Sequence, residues 1–232
     1  MPVRVLVMDS EKIKTAAQVK VTPRGPAPGR LPLSPRDKSL SRVKIVGLAA
    51  STGGPAALQT ILTQLPASFP APIVIVQHMP PGFTAPLARR LNELSALQVK
   101  EGQQGDRLTP GTAIVAAAGY HLRIERESDN ATVLLSKESP LPTHFKPSAD
   151  LMFLSLAEAF GSEVVAGVLT GMGNDGVAGL RAVREKGGFI LAQDEASCVV
   201  FGMPRAAIAA GLVDLILPLD RWASELVKLT AG

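Results

Sequence analysis

A hydroxyl, an imidazole and a carboxylate each follow a short apolar run of the sequence. They are Ser51 after residues 43–48, His78 after residues 72–77, and Asp175 after residues 163–170. A serine hydroxyl is a poor nucleophile until a base accepts its proton, and a histidine side chain titrates in the pH range where it can do so. An aspartate can fix the imidazole tautomer and stabilise the imidazolium that forms. The three residue types therefore predict a nucleophile, a base and an acid for acyl transfer.

The apolar runs must bring these side chains together if they are to act together. The runs are typical of buried strands, and helical patterns follow them; Pro55 stands where a first helical residue would, and leucines and isoleucines recur beyond it at helical spacing. Buried strands that alternate with such helices predict an α/β fold with a parallel sheet covered on both faces. Ligands bind beyond the carboxyl ends of such strands, so we expect Ser51, His78 and Asp175 on one rim.

Two further histidines are weaker candidates for the base. His121 begins the segment HLRIERE, which with ATVLLS flanks Ser-Asp-Asn and predicts an antiparallel hairpin insertion. We expect His121 on a polar surface of that hairpin. His144 lies in the loop LPTHFKPSAD, which could border a cleft. It does not follow a predicted strand, so no strand end places it on the rim. His78 is therefore the predicted base.

The turn after the first strand predicts how the serine is presented. Residues 49–53, AASTG, are close to the Gly-x-Ser-x-Gly elbow that lifts a nucleophile above a sheet, with Ala49 in the first glycine position. Gly53 and Gly54 allow a sharp turn and a close approach of backbone to substrate. The N-terminus of the following helix would stabilise an oxyanion, with the Thr52 N–H as one donor and the turn at residues 171–173 as the source of a second.

A dinucleotide site is a competing interpretation of the third turn. Residues 171–176, GMGNDG, match Gly-x-Gly-x-x-Gly between a strand and a helix, and Asp194 ends the next strand. Asp175 opposes this interpretation, because its carboxylate would face the bound pyrophosphate. The pattern also falls late in the domain, whereas the fingerprint usually belongs to the first strand and helix of a fold.

Basic residues are concentrated at the start of the chain. Of 232 residues, the first 44 hold ten Lys/Arg and three Asp/Glu, a balance of +7, and the remainder holds fourteen and seventeen, a balance of −3. The prolines and glycines of residues 21–42 predict an extended linker, and a globular domain is predicted over residues 43–232. A slightly acidic domain disfavours nucleic-acid binding, which more often uses a basic patch on the fold itself.

The sequence also bears on compartment and redox chemistry. No apolar run approaches the roughly 18 residues of a membrane span, and the first ten residues, MPVRVLVMDS, lack the pattern of a signal peptide. We therefore expect a cytoplasmic protein without membrane insertion. Cys198 is the single cysteine, which excludes an internal disulfide, and its apolar neighbours indicate an inert thiol.

Five segments together resemble the catalytic domain of the chemotaxis protein-glutamate methylesterase family, CheB. They are GLAASTGGP, VIVQHMPPGF, HFKPSADLMF, VLTGMGNDGVAGL and AQDEASCVVFGMP, in the family's order. The resemblance implies a doubly wound, mainly parallel sheet, with Ser51, His78 and Asp175 as the catalytic residues. It also implies oxyanion contacts from the backbone N–H groups of Thr52 and Met172.

The resemblance implies a reaction and a partner as well. Family members hydrolyse γ-glutamyl methyl esters on cytoplasmic helices of methyl-accepting chemotaxis receptors through an acyl-enzyme, and some deamidate receptor glutamines. For this chain we expect a monomeric serine hydrolase without cofactor or metal. A receptor helix needs an open cleft with an apolar rim, for which the candidates are Met79, Phe83, Phe201 and Met203. The alternative is a module that binds receptors without turnover, which the intact set of three catalytic residue types disfavours.

The first 42 residues depart from the family pattern. Family members usually carry a phospho-accepting receiver domain before a linker. Here MPVRVLVMDS is similar to a receiver's first strand and EKIKTAAQVKV to the end of its last helix, while only Asp9 and Glu11 could represent its carboxylates. Residues 1–42 are therefore predicted to be a receiver remnant and a flexible linker, and the enzyme is expected to lack control by phosphorylation.

Overall fold

Nine strands and six α-helices lie between residues 43 and 231, the part of the chain that the computed structural model describes. The strands are β1 (Ile45–Ala50), β2 (Ile73–Gln77), β3 (Gln98–Glu101), β4 (Thr112–Val115), β5 (His121–Glu127), β6 (Asn130–Ser136), β7 (Val164–Val168), β8 (Phe189–Gln193) and β9 (Leu215–Leu217). The helices are α1 (Gly54–Leu62), α2 (Thr84–Leu94), α3 (Ala149–Phe160), α4 (Val177–Glu185), α5 (Met203–Ala209) and α6 (Trp222–Thr230). The predicted receiver remnant and linker over residues 1–42 lie outside the described residues.

Seven of these strands form one parallel sheet in the order β3-β4-β2-β1-β7-β8-β9. The predicted doubly wound parallel sheet is therefore confirmed. The chain winds outward from β1 through β2, and later from β7 on the other side of β1. The direction of winding thus reverses at β1, and the crevice beyond the carboxyl ends of β1, β2 and β7 is the place where open α/β sheets bind ligands.

Helices cover both faces of the sheet because the central strands are apolar on both sides. All six residues of β1 are buried, as are all five of β2 and of β7. Helices α1, α2 and α6 pack one face, and α3, α4 and α5 pack the other. Representative core side chains are Leu58, Leu91 and Trp222 on the first face and Phe153, Leu180 and Ala207 on the second.

The antiparallel hairpin is present as predicted, and two neighbouring strands are additional. Strands β5 and β6 pair from His121↔Ser136 to Glu127↔Asn130 and form a separate two-stranded sheet. The hairpin is held against α3, where the Ile124 N–H donates to the Ser155 hydroxyl (2.9 Å). Strands β3 and β4, with four residues each, extend the edge of the main sheet, and the sequence pattern did not predict them.

Candidate active site

Strand register places Ser51 next to His78. The last paired residues of the parallel β1–β2 ladder are Ala50 and Gln77, so Ser51 and His78 are the next residue of each strand. The His78 N–H donates to the Ala50 carbonyl (3.0 Å), and the Ser51 N–H donates to the Thr170 carbonyl beyond β7 (3.0 Å). Neighbouring strands lie about 4.8 Å apart. The hydroxyl and the imidazole therefore project from adjacent backbone positions.

The turn after β1 has the strand–turn–helix geometry expected of a nucleophile elbow. Gly53 has φ 82°, a left-handed conformation that favours glycine, and a Cβ there would lie 2.7 Å from the Val199 side chain. Gly54 begins α1 so close to β1 that an added Cβ would lie 2.7 Å from the Cβ of Ala50. Ser51 is half-buried where this turn begins. Both glycines are therefore required by the tight path of the backbone around the serine.

Two buried glutamines hold the strand ends in place. The Gln77 side-chain amide donates to the Ser51 carbonyl (2.9 Å), and the Gln193 side-chain carbonyl accepts from the Thr170 N–H (2.8 Å). The Thr170 hydroxyl then donates to the Thr52 carbonyl (2.9 Å). The sequence analysis did not identify these residues. The available signal was a glutamine at the last position of an otherwise apolar strand, since a buried amide needs partners.

The imidazole of His78 is joined to the carboxylate of Asp175. Nε2 of His78 lies 2.7 Å from Oδ2 of Asp175, and both side chains are almost completely buried. Because a carboxylate accepts, Nε2 donates, and the neutral ring then carries its lone pair on Nδ1. This Nδ1 is buried and has no hydrogen-bond partner among residues 43–231. The ring nitrogen left to accept a proton is therefore Nδ1.

The Asp175 carboxylate is held from four directions. Oδ2 accepts from the Ala149 N–H (2.7 Å) as well as from His78, and Oδ1 accepts from the Ser148 hydroxyl (2.9 Å) and the Asp150 N–H (3.1 Å). Burial by itself raises the pKa of this carboxyl, but the hydrogen bonds from the His78 ring and two backbone N–H groups outweigh burial and hold the pKa below its ordinary value. Asp175 is therefore ionised at neutral pH.

The aspartates at the starts of α3 and α4 cap each other's helices. Asp175, just before α4, accepts from the first N–H groups of α3, while Oδ1 of Asp150 in α3 accepts from the Gly176 and Gly179 N–H groups of α4 (both 2.9 Å). Such acceptors satisfy N–H groups that a helix leaves free at its start. Burial, with the neighbouring Asp175 charge adding to it, raises the pKa of Asp150 despite these hydrogen bonds.

An aromatic side chain covers one face of the His78 ring. The ring centroids of His78 and Phe145 are 4.4 Å apart and the planes differ by 8°. Phe145 also lines two open cavities, one of about 450 Å³ that reaches His78 and Met79 and one of about 390 Å³ that reaches Asp175. The sequence analysis did not assign Phe145 a role, although it lies in HFKPSADLMF, one of the segments that resemble the CheB family.

Two backbone N–H groups beside Ser51 are oriented by the surrounding turns. The N–H groups of Thr52 and Met172, the predicted oxyanion donors, have no acceptor among residues 43–231. Gly171 packs directly on the serine, because a Cβ there would lie 2.7 Å from the Cβ of Ser51. The Gly171 carbonyl is itself fixed by the Gly202 N–H (3.0 Å). The turn that carries the Met172 N–H therefore lies against Ser51.

The residues predicted to form the apolar rim are not all exposed in the structure. Met203 is only 1% exposed and packs beneath Gly171, so it does not lie on the rim as expected. Met79 and Phe201 are half-buried, whereas Phe83 is 57% exposed in the loop that follows His78. The exposed large apolar side chains on the loops that follow β1, β2, β7 and β8 or precede α3 are Phe83, Phe145, Met172 and Val199, of which Phe145 lines the cavities. The backbone placement of Met172 and Val199 beside the elbow could not be deduced from local pattern.

The other titratable candidates from the sequence analysis differ from one another in burial. His121 is 1% exposed, so its predicted surface position is wrong; burial, reinforced by the positive charge of Lys146, lowers the pKa of its ring. His144 is exposed. Burial raises the pKa of the Cys198 thiol to about 11, so it is protonated and a poor nucleophile at neutral pH.

Between residues 43 and 231, no helix combines the length and the apolar character needed to cross a bilayer. Within the same residues, no group of three or more His, Cys, Asp and Glu side chains is arranged to hold a metal ion.

An α/β domain that gathers a serine, a histidine–aspartate pair and free backbone N–H groups at its switch point has the architecture of a serine hydrolase domain. The family profile described as CheB methylesterase matches residues 46–226. The chain belongs to this family. The matched range contains the positions of Ser51, His78 and Asp175.

Individual relatives agree with this assignment. The chain is 52% identical over 208 residues to a protein-glutamate methylesterase/protein-glutamine glutaminase of Moorella thermoacetica, a match that covers 90% of this chain and 47% of the relative. It is 46% identical over 220 residues to protein 2 of that name in Pseudomonas aeruginosa, covering 95% of this chain and 62% of the relative. The chain thus spans about half to three fifths of the length of these relatives.

A solved structure matches over the same domain. The crystal structure of the CheB methylesterase catalytic domain of Thermotoga maritima superposes with a TM-score of 0.78 at 41% sequence identity. The superposition covers 82% of this chain and 100% of that chain.

Proposed function

We propose that this domain is a protein-glutamate methylesterase that hydrolyses γ-glutamyl methyl esters on cytoplasmic helices of chemotaxis receptors. Ser51 is the nucleophile, His78 is the base, and Asp175 is the carboxylate that orients the base. The observation that carries the proposal is the 2.7 Å hydrogen bond between His78 and Asp175. His78 follows β2 at the position that neighbours Ser51 at the end of β1. Membership of the CheB methylesterase family supports the substrate class.

In the first half of the reaction, the Ser51 hydroxyl attacks the ester carbonyl carbon while Nδ1 of His78 takes its proton. The hydrogen bond between a nucleophile and its base commonly tightens only when substrate is bound. The carbonyl oxygen becomes an oxyanion, and the Thr52 and Met172 N–H groups donate to it. The C–O bond to the methoxy group then breaks, His78 returns its proton to the leaving oxygen, and methanol departs. The glutamyl group remains as an ester of Ser51.

In the second half, water attacks the same carbonyl carbon and gives its proton to His78. The bond to Ser51 breaks, the serine regains its proton, and a free glutamate side chain is released. Throughout, the Asp175 carboxylate stabilises the imidazolium that forms transiently. The same steps applied to a glutamine release ammonia instead of methanol, which corresponds to the second name that the relatives carry.

The surroundings of Ser51 suit a substrate that is part of another protein. Exposed apolar side chains lie on the loops next to the candidate residues, and the cavity beside His78 is open. A substrate group that projects from a helix needs no deep enclosed pocket. We propose that a receptor helix lies across this rim and inserts one glutamyl ester toward Ser51. Because such helices belong to the cytoplasmic part of a receptor, the enzyme would act in the cytoplasm, and one copy of the domain supplies all the groups that the reaction uses.

Methanol release from methylated receptor fragments tests the assignment. Ser51→Ala removes the nucleophile, and loss of a triad member lowers kcat by about 10⁴-fold to 10⁶-fold. The matched control is Ser224→Ala on α6, whose hydroxyl only donates to the Arg221 carbonyl (2.9 Å). We expect Ser224→Ala to retain the rate of the unmodified protein.

Two results would contradict the proposal. Retention by Ser51→Ala of a rate within about tenfold of the unmodified protein would exclude Ser51 as the nucleophile. If the unmodified protein binds receptor fragments but releases neither methanol nor ammonia, the domain is a binding module and its serine does not turn over.

A further inference from the structure

We propose that Phe145 is a positioning residue that fixes the plane of the His78 imidazole for proton transfer from Ser51. The inference rests on the proposed function, because it concerns the same proton transfer. Its basis is the near-parallel stack of the two rings, 4.4 Å apart, in a loop distant in sequence from both strand ends.

A second restraint is needed because one hydrogen bond does not fix an imidazole. The Nε2 bond to Asp175 holds one end of the His78 ring, but the χ2 torsion of histidine is broad and permits the plane to tilt about that bond. Tilting would move Nδ1 away from the serine hydroxyl. A flat aromatic surface in contact with one face of the ring prevents tilt toward that side. Phe145 supplies that surface.

The loop around Phe145 is itself tied down. The Phe145 N–H donates to the Thr143 hydroxyl (3.1 Å), and the Gly119 N–H donates to the Lys146 carbonyl (3.2 Å). The Lys146 ammonium group also donates to the Lys137 carbonyl. Phe145 remains 37% exposed, so it is accessible from the crevice while its backbone is anchored on both sides.

The same short segment also holds the Asp175 carboxylate. Beginning two residues after Lys146, the Ser148 hydroxyl and the N–H groups of Ala149 and Asp150 donate to the Asp175 carboxylate. Residues 145–150 therefore contact the base on its face and the acid on both oxygens. One segment sets the two members of the pair relative to each other, which is the arrangement expected of a positioning element.

Phe145 has two other conceivable roles, and each predicts a different pattern. As a rim residue, it would contribute to receptor docking and leave the reactivity of Ser51 unchanged. As a purely structural residue, its loss would lower thermal stability without a specific effect on His78. A small fluorophosphonate, which labels an activated serine without any receptor contact, separates these roles.

The experiment compares rates of Ser51 labelling by a fluorophosphonate in Phe145→Ala, Phe145→Tyr and the unmodified protein. We expect Phe145→Ala to react about tenfold to a hundredfold more slowly, since small misplacements of a catalytic group have effects of this size. Phe145→Tyr keeps the flat ring and should restore the rate to within about threefold. The matched control is Tyr120→Ala, which removes an aromatic ring of equal exposure, 37%, that does not stack on His78.

A double-mutant cycle isolates the dependence on the imidazole. If Phe145 acts through His78, then Phe145→Ala in a His78→Ala background should change the residual labelling rate by less than about twofold, because the two losses are not independent. An added loss as large as in the unmodified background would overturn the inference. Thermal unfolding midpoints of all variants show whether the fold is retained, and Phe145→Leu supplies a second apolar variant without a flat ring.

The outcomes distinguish this inference from the proposed function. If the unmodified protein does not react with the probe at all, the assignment of Ser51 fails. If the unmodified protein reacts and Phe145→Ala reacts equally fast, the positioning role alone fails. A normal labelling rate combined with slower receptor demethylation would make Phe145 a docking residue and would also overturn the inference.

Discussion

Replacement of Asp175 by asparagine tests how far the fold and the site depend on one carboxylate. The substitution keeps the shape of the side chain but exchanges one oxygen for an NH₂ group. At the Oδ2 position the NH₂ would face the donors of His78 and Ala149; at the Oδ1 position it would face Ser148 and the Asp150 N–H. The Ser148 hydroxyl can rotate to accept, so we expect the NH₂ at the Oδ1 position.

This orientation sets the size of the effect. The Asp150 N–H loses its acceptor, which costs about 1–3 kcal/mol, and the remaining hydrogen bonds lose the strengthening that an ionised acceptor gives, roughly half of their strength. We therefore expect the free energy of unfolding at pH 7 to fall by about 2–4 kcal/mol. Loss of the buried negative charge opposite the imidazolium should lower kcat by about 10³-fold to 10⁴-fold.

Urea unfolding followed by circular dichroism measures the first quantity, and methanol release measures the second. Asp129→Asn, in the exposed turn of the hairpin, is the control for the same chemical change. The reasoning is refuted if Asp175→Asn unfolds at the same urea concentration as the unmodified protein, since the carboxylate would then not be holding the start of α3. A normal kcat would show that His78 does not need Asp175.

Two further predictions concern neighbouring groups. Asp150→Ala removes the acceptor for two N–H groups of α4 and should lower stability by about 1–2 kcal/mol, whereas Asp150→Asn keeps an acceptor and should cost less; equal unfolding midpoints for both variants would contradict the capping role. Because burial lowers the pKa of His121, the unfolded chain binds a proton first, and stability should fall as pH drops below about 6.5. His121→Leu should flatten the dependence of urea midpoints on pH between 7.5 and 5.5, and an unchanged slope would exclude this contribution.

The placement of the three candidate catalytic residues at one edge of the sheet could be predicted because each position depends on a local pattern. An apolar run predicts a buried strand, buried strands with helices between them predict a parallel sheet, and a parallel sheet gathers its carboxyl ends on one edge. Ser51, His78 and Asp175 follow from these rules without knowledge of any tertiary contact. Strands β3 and β4 were not predicted, because an apolar pattern over four residues each is too short to indicate a strand.

The supporting residues could not be predicted because their roles depend on contacts between distant elements. Ser148 occupies the N-cap position of α3, but its hydroxyl donates to Asp175 and makes no capping hydrogen bond within its own helix. The acceptor for the start of α3 comes instead from the loop before α4. No local signal indicates that the start of α3 would find its acceptor in another loop. None indicates that Phe145 would stack on the His78 ring.

The two aspartates that cap each other's helices at the starts of α3 and α4 have a consequence for how the domain unfolds. The backbone N–H groups that hold the Asp175 carboxylate also begin α3, and Asp150, whose N–H is one of them, accepts the hydrogen bonds that begin α4. The orientation of the carboxylate therefore depends on the packing of both helices. Heat inactivation and loss of helical signal should therefore coincide, with no long-lived species that is folded yet inert. Stabilising the junction of these two helices would extend the working temperature and the structural lifetime together.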